Sequence, residues 1–214
     1  MVSTHIDKRA SNGELDRKTQ AMFSLLKNLR INIGFYTTIA KHANQIKQLK
    51  RNYECCLGFI QRMSLDGITL GLSKIYEKYS KRHTSNSIES ILVTLMDSNN
   101  TNKHIDHTDF IKKYGSNSQC FICTTKDFIN KQKKELELIR KMRNKVVAHS
   151  DFSITNKKNF LPSINDIDKL YNFALDFLNS VGKNELQIES FYVVEEYCKE
   201  VNFLEMIIEQ ISKE

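Results

Sequence analysis

The stretch "RKMRNKVVAHSD", residues 140 to 151, carries Arg143 and His149 with five residues between them. A histidine changes charge near neutral pH. Beside arginine charges it is held partly neutral, the state that suits a general base. The competing reading is a histidine at a helix C-terminus, favoured there by the macrodipole. Arg143 poses the sharper question. With Leu136 at zero and about 100° per residue, Ile139, Val146 and Val147 fall at about 300°, 280° and 20°, and Arg143 at about 340°. That is the middle of an apolar stripe. Burying a charge there is costly unless it is paired or wet. Either Arg143 lies at a groove where this helix meets another subunit, or it pairs with a buried acid. His149, at about 220°, points away from Arg143 in a straight helix, so the two converge only if the helix loosens or two copies meet across a two-fold axis.

A second cluster has metal-ligand spacing. "HIDH" (His104, His107) and "CFIC" (Cys120, Cys123) form H-x2-H-x12-C-x2-C. A tetrahedral zinc on these four side chains would staple a polar segment. Against it, the pairs come in the reverse of the usual order. The cysteines flank apolar residues and also read as small hydrophobes. Cys55, Cys56 and Cys198 read as core residues on apolar helix faces.

These residues need elements to position them. The chain has 214 residues, one proline and seven glycines. So few breakers, with many Leu, Ile, Lys and Glu, predict an all-α fold in a single domain spanning residues 1–214. Residues 1–12 read as frayed. Leu15, Met22, Leu25, Leu26, Leu29, Ile33 and Ile46 recur at helical steps over about 14–49, with Gly34 expected to kink or divide that helix. A central helix follows over 51–80, apolar on more than one side. Ser85 or Ser87 caps a third, "SIESILVTLMDS". Residues 97–119 read as a polar loop holding one short helix at 105–114. Thr124 or Thr125 is expected to cap the helix running to 149. Ser163 caps the next, over 163–181, with Ile167, Leu170, Phe173, Ala174, Phe177 and Leu178 inward and Gly182 ending it. The last helix, within 185–214, is amphipathic and acidic; "QIESFYVV" inside it is the one short strand candidate, read as helix. Phe191, Tyr192 and Phe203 there are spaced for packing.

The charge is uneven. The net is +7, but residues 185–214 hold eight acids and two bases. Residues 126–149 hold eight bases against three acids. A basic body favours a polyanionic partner, nucleic acid first, although side-chain pairs on a solvated helix face give the same run. No apolar run approaches the roughly 18–20 residues that span a membrane. The polar N-terminus lacks a signal-peptide core, which places the chain in the cytoplasm with its cysteines reduced.

Arg143, Asn144 and His149, with the run-in "LELIRKMRNK" and the following "AHSD", resemble the signature of the HEPN superfamily: an arginine, four to six residues, then a histidine. The segment order, with "GITLGLSKIYEK" (67–78), "SNSIESIL" (85–92), a variable loop and then the motif helix, resembles abortive-infection proteins of the Abi U type over about residues 15–180. The resemblance implies an up-and-down helical bundle, dimeric through the motif helices. It implies metal-independent RNA cleavage, in which a 2′-OH attacks the adjacent phosphate and leaves a 2′,3′-cyclic phosphate. His149 would transfer protons, Arg143 would hold the scissile phosphate, and Asn144 would orient the substrate or the histidine. Arg140, Lys141 and Lys145 would contact flanking phosphates; Asp151, which the family pattern does not require, would help hold His149. No cofactor is implied. RNA, a second copy of the chain and a protein antitoxin are the implied partners. Two other functions fit the sequence: a non-catalytic HEPN module binding RNA or protein, and a helical interaction protein with zinc in the 104–123 loop.

Overall fold

A computed structural model describes residues 4–82, 85–97, 107–115, 120–148, 162–186 and 197–213, the side chains of 4–12, 145–148, 184–185 and 197–198 excepted. The described residues form nine helices and no strand. They are α1 (Thr4–Lys41), α2 (Ala43–Ile46), α3 (Arg51–Ile75), α4 (Ile88–Asp97), α5 (Thr108–Tyr114), α6 (Phe121–Lys131), α7 (Lys133–Ala148), α8 (Ile164–Glu185) and α9 (Tyr197–Ile211). The fold is an all-α bundle.

The long α1 shares the centre with α3, the helix expected there. It packs against α3, α4, α8 and α9, while α3 in turn supports α7. The reason lies in its apolar face: Leu15, Met22, Leu26, Leu29 and Ile33 are all buried and meet Ile68, Leu72 and Ile75 of α3 in one core. Gly34 does not divide α1, which runs unbroken to Lys41. It lets α9 approach, since a Cβ at this position would stand 2.4 Å from Cγ2 of Val201. The break comes at His42, before α2.

The α8 face predicted from periodicity is fully inside: Ile167, Leu170, Phe173, Ala174, Phe177 and Leu178 are buried. Its start is a capping box. The Ser163 hydroxyl accepts from the Asp166 N–H, and the Asp166 carboxylate accepts from the Ser163 N–H. Gly182 does not end α8, which continues to Glu185. Ser87 accepts from the Ser90 N–H at 3.3 Å and starts α4.

The polar segment 97–119 does contain a short helix, α5. It is docked by aromatic stacking. Phe110 lies against Phe121 and Phe173, and Phe128 stacks on Phe173 with centroids 3.7 Å apart. Such pairs add about 0.5–1.5 kcal/mol each beyond burial. They fix α5 and α6 on α8.

Lys18 is a buried cation inside the bundle. Its Nζ bonds Oγ1 of Thr94 at 2.7 Å and faces Oε1 of Glu14 at 2.9 Å. That hydrogen bond and charge hold the Glu14 carboxyl below its ordinary range.

Three expectations about exposure fail. Cys55 and Cys56 are exposed, not core, because the first turns of α3 extend past the packed face of α1. Phe203 is exposed on α9, where Leu204 and Ile208 take the buried positions. The side chain of Cys198, residues Phe191 and Tyr192, and the "QIESFYVV" segment lie outside the described residues. No described helix is long and apolar enough to cross a membrane.

Candidate functional site

The motif helix is not one continuous element. Instead of running from about 125 to 149, the segment is α6 and α7 with a one-residue break at Gln132, which is buried. Nor do Thr124 and Thr125 cap it. Both are buried inside α6, and the cap is Cys120, whose Sγ accepts from the Cys123 N–H.

On α7, Leu136, Ile139 and Met142 are buried, with Gln132 in line before them. The buried stripe is therefore turned toward Met142, and Arg143, at about 340°, lies within it on the side of Leu136. The Arg143 side chain is 36% exposed. This resolves the sequence puzzle without burial of a charge: the guanidinium sits where the α7 face meets solvent.

Two side chains hold it there. Oδ1 of Asn144 accepts from Nε of Arg143 at 3.3 Å and from Nη2 at 3.2 Å. Nη1 stands 3.9 Å from Oε1 of Glu77, itself 47% exposed. Asn144 thus braces the arginine from the neighbouring position. The guanidinium stays partly exposed, and its N–H groups are donors of the kind that suit an oxyanion.

Glu77 is the residue that sequence reasoning missed. It follows the end of α3, and its place is set by its neighbours. The buried Tyr76 donates its phenolic O–H to the Leu170 carbonyl at 2.7 Å, tying the end of α3 to α8. The Tyr79 N–H donates to Oε2 of Glu89 at 2.6 Å, tying the turn to α4. Between these two anchors, Glu77 is presented to α7.

Arg140, one turn before Arg143 and on a similar face, is half-buried and lines a cavity of about 460 Å³. This cavity lies between α4, α6, α7 and the turn after α3, and Glu77 forms part of its wall. Lys141 is exposed on α7, and Lys145 continues the helix with its side chain outside the described residues. His149 and Asp151 lie outside them as well. The site brings Arg143, Asn144 and Glu77 together and places Arg140 beside them.

The AbiU2 profile of the HEPN domains matches residues 13–184. The chain belongs to that family. No match was found among curated proteins or among solved structures. The match takes in every helix of the AbiU2 bundle from the described side chains of α1 to the last turn of α8, and leaves α9 outside.

In this AbiU2 chain the residues proposed for zinc are spread over different tasks. His107 is buried, its Nδ1 lies 2.6 Å from Oγ of Ser180, and its ring stacks on Phe121 at 3.8 Å. Cys120 and Cys123 are exposed at the start of α6. Burial pushes the Cys120 thiol up, but hydrogen bonding from Cys123 and the Ile122 N–H, with the charge of Lys126, outweighs it and leaves the thiol below its ordinary value. Among the described residues, no group of three or more His, Cys, Asp or Glu side chains is placed to hold a metal. His104 lies outside them.

Proposed function

We propose that this AbiU2-family chain is an endoribonuclease acting in abortive infection, with Arg143 and His149 as its catalytic pair. The observation that carries the reading is the braced, partly exposed Arg143 on α7 in a chain matched by the HEPN AbiU2 profile. A pre-oriented, partly exposed guanidinium is suited to a phosphodiester whose charge grows in the transition state.

In this mechanism the ribose 2′-OH attacks the adjacent phosphorus and the P–O5′ bond breaks. The products are a 2′,3′-cyclic phosphate and a 5′-hydroxyl. His149 transfers a proton in that exchange, Arg143 neutralises the phosphoryl oxygens, and Asn144 keeps the guanidinium in plane. Arg140, Lys141 and Lys145 position flanking phosphates without reading sequence. Asp151 supports His149. The pair is completed across a two-fold dimer, because six residues along one helix separate Arg143 and His149 by about 120°. A protein antitoxin covering the basic face would restrain the activity until infection.

The test is cleavage of RNA in chelator by wild type, Arg143→Ala and His149→Ala. Loss of cleavage in both variants, with RNA binding retained by His149→Ala, is expected. Equal cleavage by all three removes the catalytic assignment. Binding without cleavage by wild type makes the chain an RNA-binding module. Stoichiometric zinc on the purified protein would reassign His104, His107, Cys120 and Cys123 to a structural site.

A further inference from the structure

The cavity next to Arg143 has a composition the cleavage chemistry does not use. Its volume of about 460 Å³ falls within the roughly 300–1,000 Å³ of small-molecule sites. One wall is apolar: Leu92, Val93 and Met96 of α4 face Ile129 of α6. Met96 and Val93 are not sealed into the core, so this wall is open to an incoming ring. The rim is cationic, with Lys78, Lys126 and Arg140. Among the described residues none of these three cations is in an ion pair. The acids at the rim are engaged elsewhere: Glu89 by the Tyr79 N–H and Glu77 near Arg143. Asn130, exposed on α6, adds an amide with both donor and acceptor groups.

We infer that this cavity binds an unpaired nucleobase of the RNA, next to the phosphate held by Arg143. The inference rests on the RNA-cleaving reading above and names the part of the substrate that the neighbouring surface takes. Arg140 belongs to both places. It lines the cavity and stands one helical turn from Arg143, so a chain with its phosphate at Arg143 can reach the cavity with an adjacent base. A flat aromatic ring fits the apolar wall, the amide of Asn130 meets its polar edge, and Lys78, Lys126 and Arg140 meet the phosphates either side. An uncharged peptide would satisfy the wall but leave that row of cations without partners.

The experiment uses the full chain carrying His149→Ala and an RNA octamer in which every base is 4-thiouridine. Irradiation of the complex is followed by mapping of the cross-linked peptides. Cross-links are expected on residues 88–96 of α4 or 126–130 of α6. Val93→Trp and Asn130→Trp, which fill the cavity from opposite sides, are each expected to weaken binding roughly tenfold, the scale of losing one stacked base. Asn130 is exposed, so its variant decides the matter if Val93→Trp melts early. Cross-links confined to other surfaces, with affinity unchanged by Asn130→Trp, would overturn the base site. If Arg143→Ala still abolishes binding in that case, the RNA-cleaving reading survives. If the octamer does not bind the His149→Ala chain or the wild type at all, both readings fall together.

Discussion

Replacing Glu77 with glutamine should tighten RNA binding. Oε1 of Glu77 lies 3.9 Å from Nη1 of Arg143. Both groups are partly exposed, so the medium around them is close to water. Coulomb's law at that distance then gives an attraction of about 1 kcal/mol. A phosphate that takes Arg143 must overcome this attraction, and it also meets the repulsion of the same carboxylate. Screening at physiological salt, with a Debye length of about 8 Å, lowers the figure to roughly 0.6 kcal/mol. The expected gain is thus roughly threefold in Kd at 0.15 M salt, falling below about twofold near 1 M. Glutamine keeps the size and most of the packing, so stability should stay within about 0.5 kcal/mol. The assay is fluorescence anisotropy of a labelled RNA with His149→Ala protein, with and without Glu77→Gln, across a salt series. In an Arg143→Ala background the gain should shrink. Weaker binding by Glu77→Gln, or no gain even at low salt, would refute the idea that Glu77 competes with phosphate for Arg143.

Two further predictions concern the scaffold. Lys18→Met keeps the apolar stem but removes the bonds to Thr94 and Glu14; a loss of about 1–2 kcal/mol is expected, read as a lower melting temperature. Because the Glu14 carboxyl is depressed in the fold, its share of that stability is present above the unfolded carboxylate range of about pH 4.3 and lost as pH falls through the folded value. The gap between wild type and Lys18→Met should therefore narrow in acid. Gly34→Ala gains about 1 kcal/mol of helix propensity. It also drives a Cβ into the stiff Val201 side chain, at a cost of about 1–3 kcal/mol. Net destabilisation is expected, and adding Val201→Ala should recover most of it in a double-mutant melt.

The helices were readable because their apolar residues recur at helical steps. This is clearest on α8, whose whole buried face and Ser163 cap follow from local pattern. What depends on a distant partner was not readable. Gly34 looked like a hinge because Val201, the residue that needs the space, lies on the last helix. The Gln132 break and the Cys120 cap were hidden because a long basic run reads as one helix and threonines are the commoner caps. Arg143 looked buried because it lies within the apolar stripe, while its side chain is 36% exposed. Glu77 reached the site only through the tertiary anchors at Tyr76 and Glu89. The segments joined by the family signature were nonetheless the right ones, since the end of "GITLGLSKIYEK" and the motif helix meet at Glu77 and Arg143.

The central claim is one RNA-cleaving site built from Arg143 of one subunit and His149 of another. Its most direct test mixes two inactive proteins, Arg143→Ala and His149→Ala, in equal amounts under conditions that allow subunit exchange. Half of the dimers are then mixed, and each mixed dimer holds one intact composite site. Activity of about a quarter of wild type is the expected recovery. No recovery, with subunit exchange demonstrated and wild type active, would contradict a site shared between subunits.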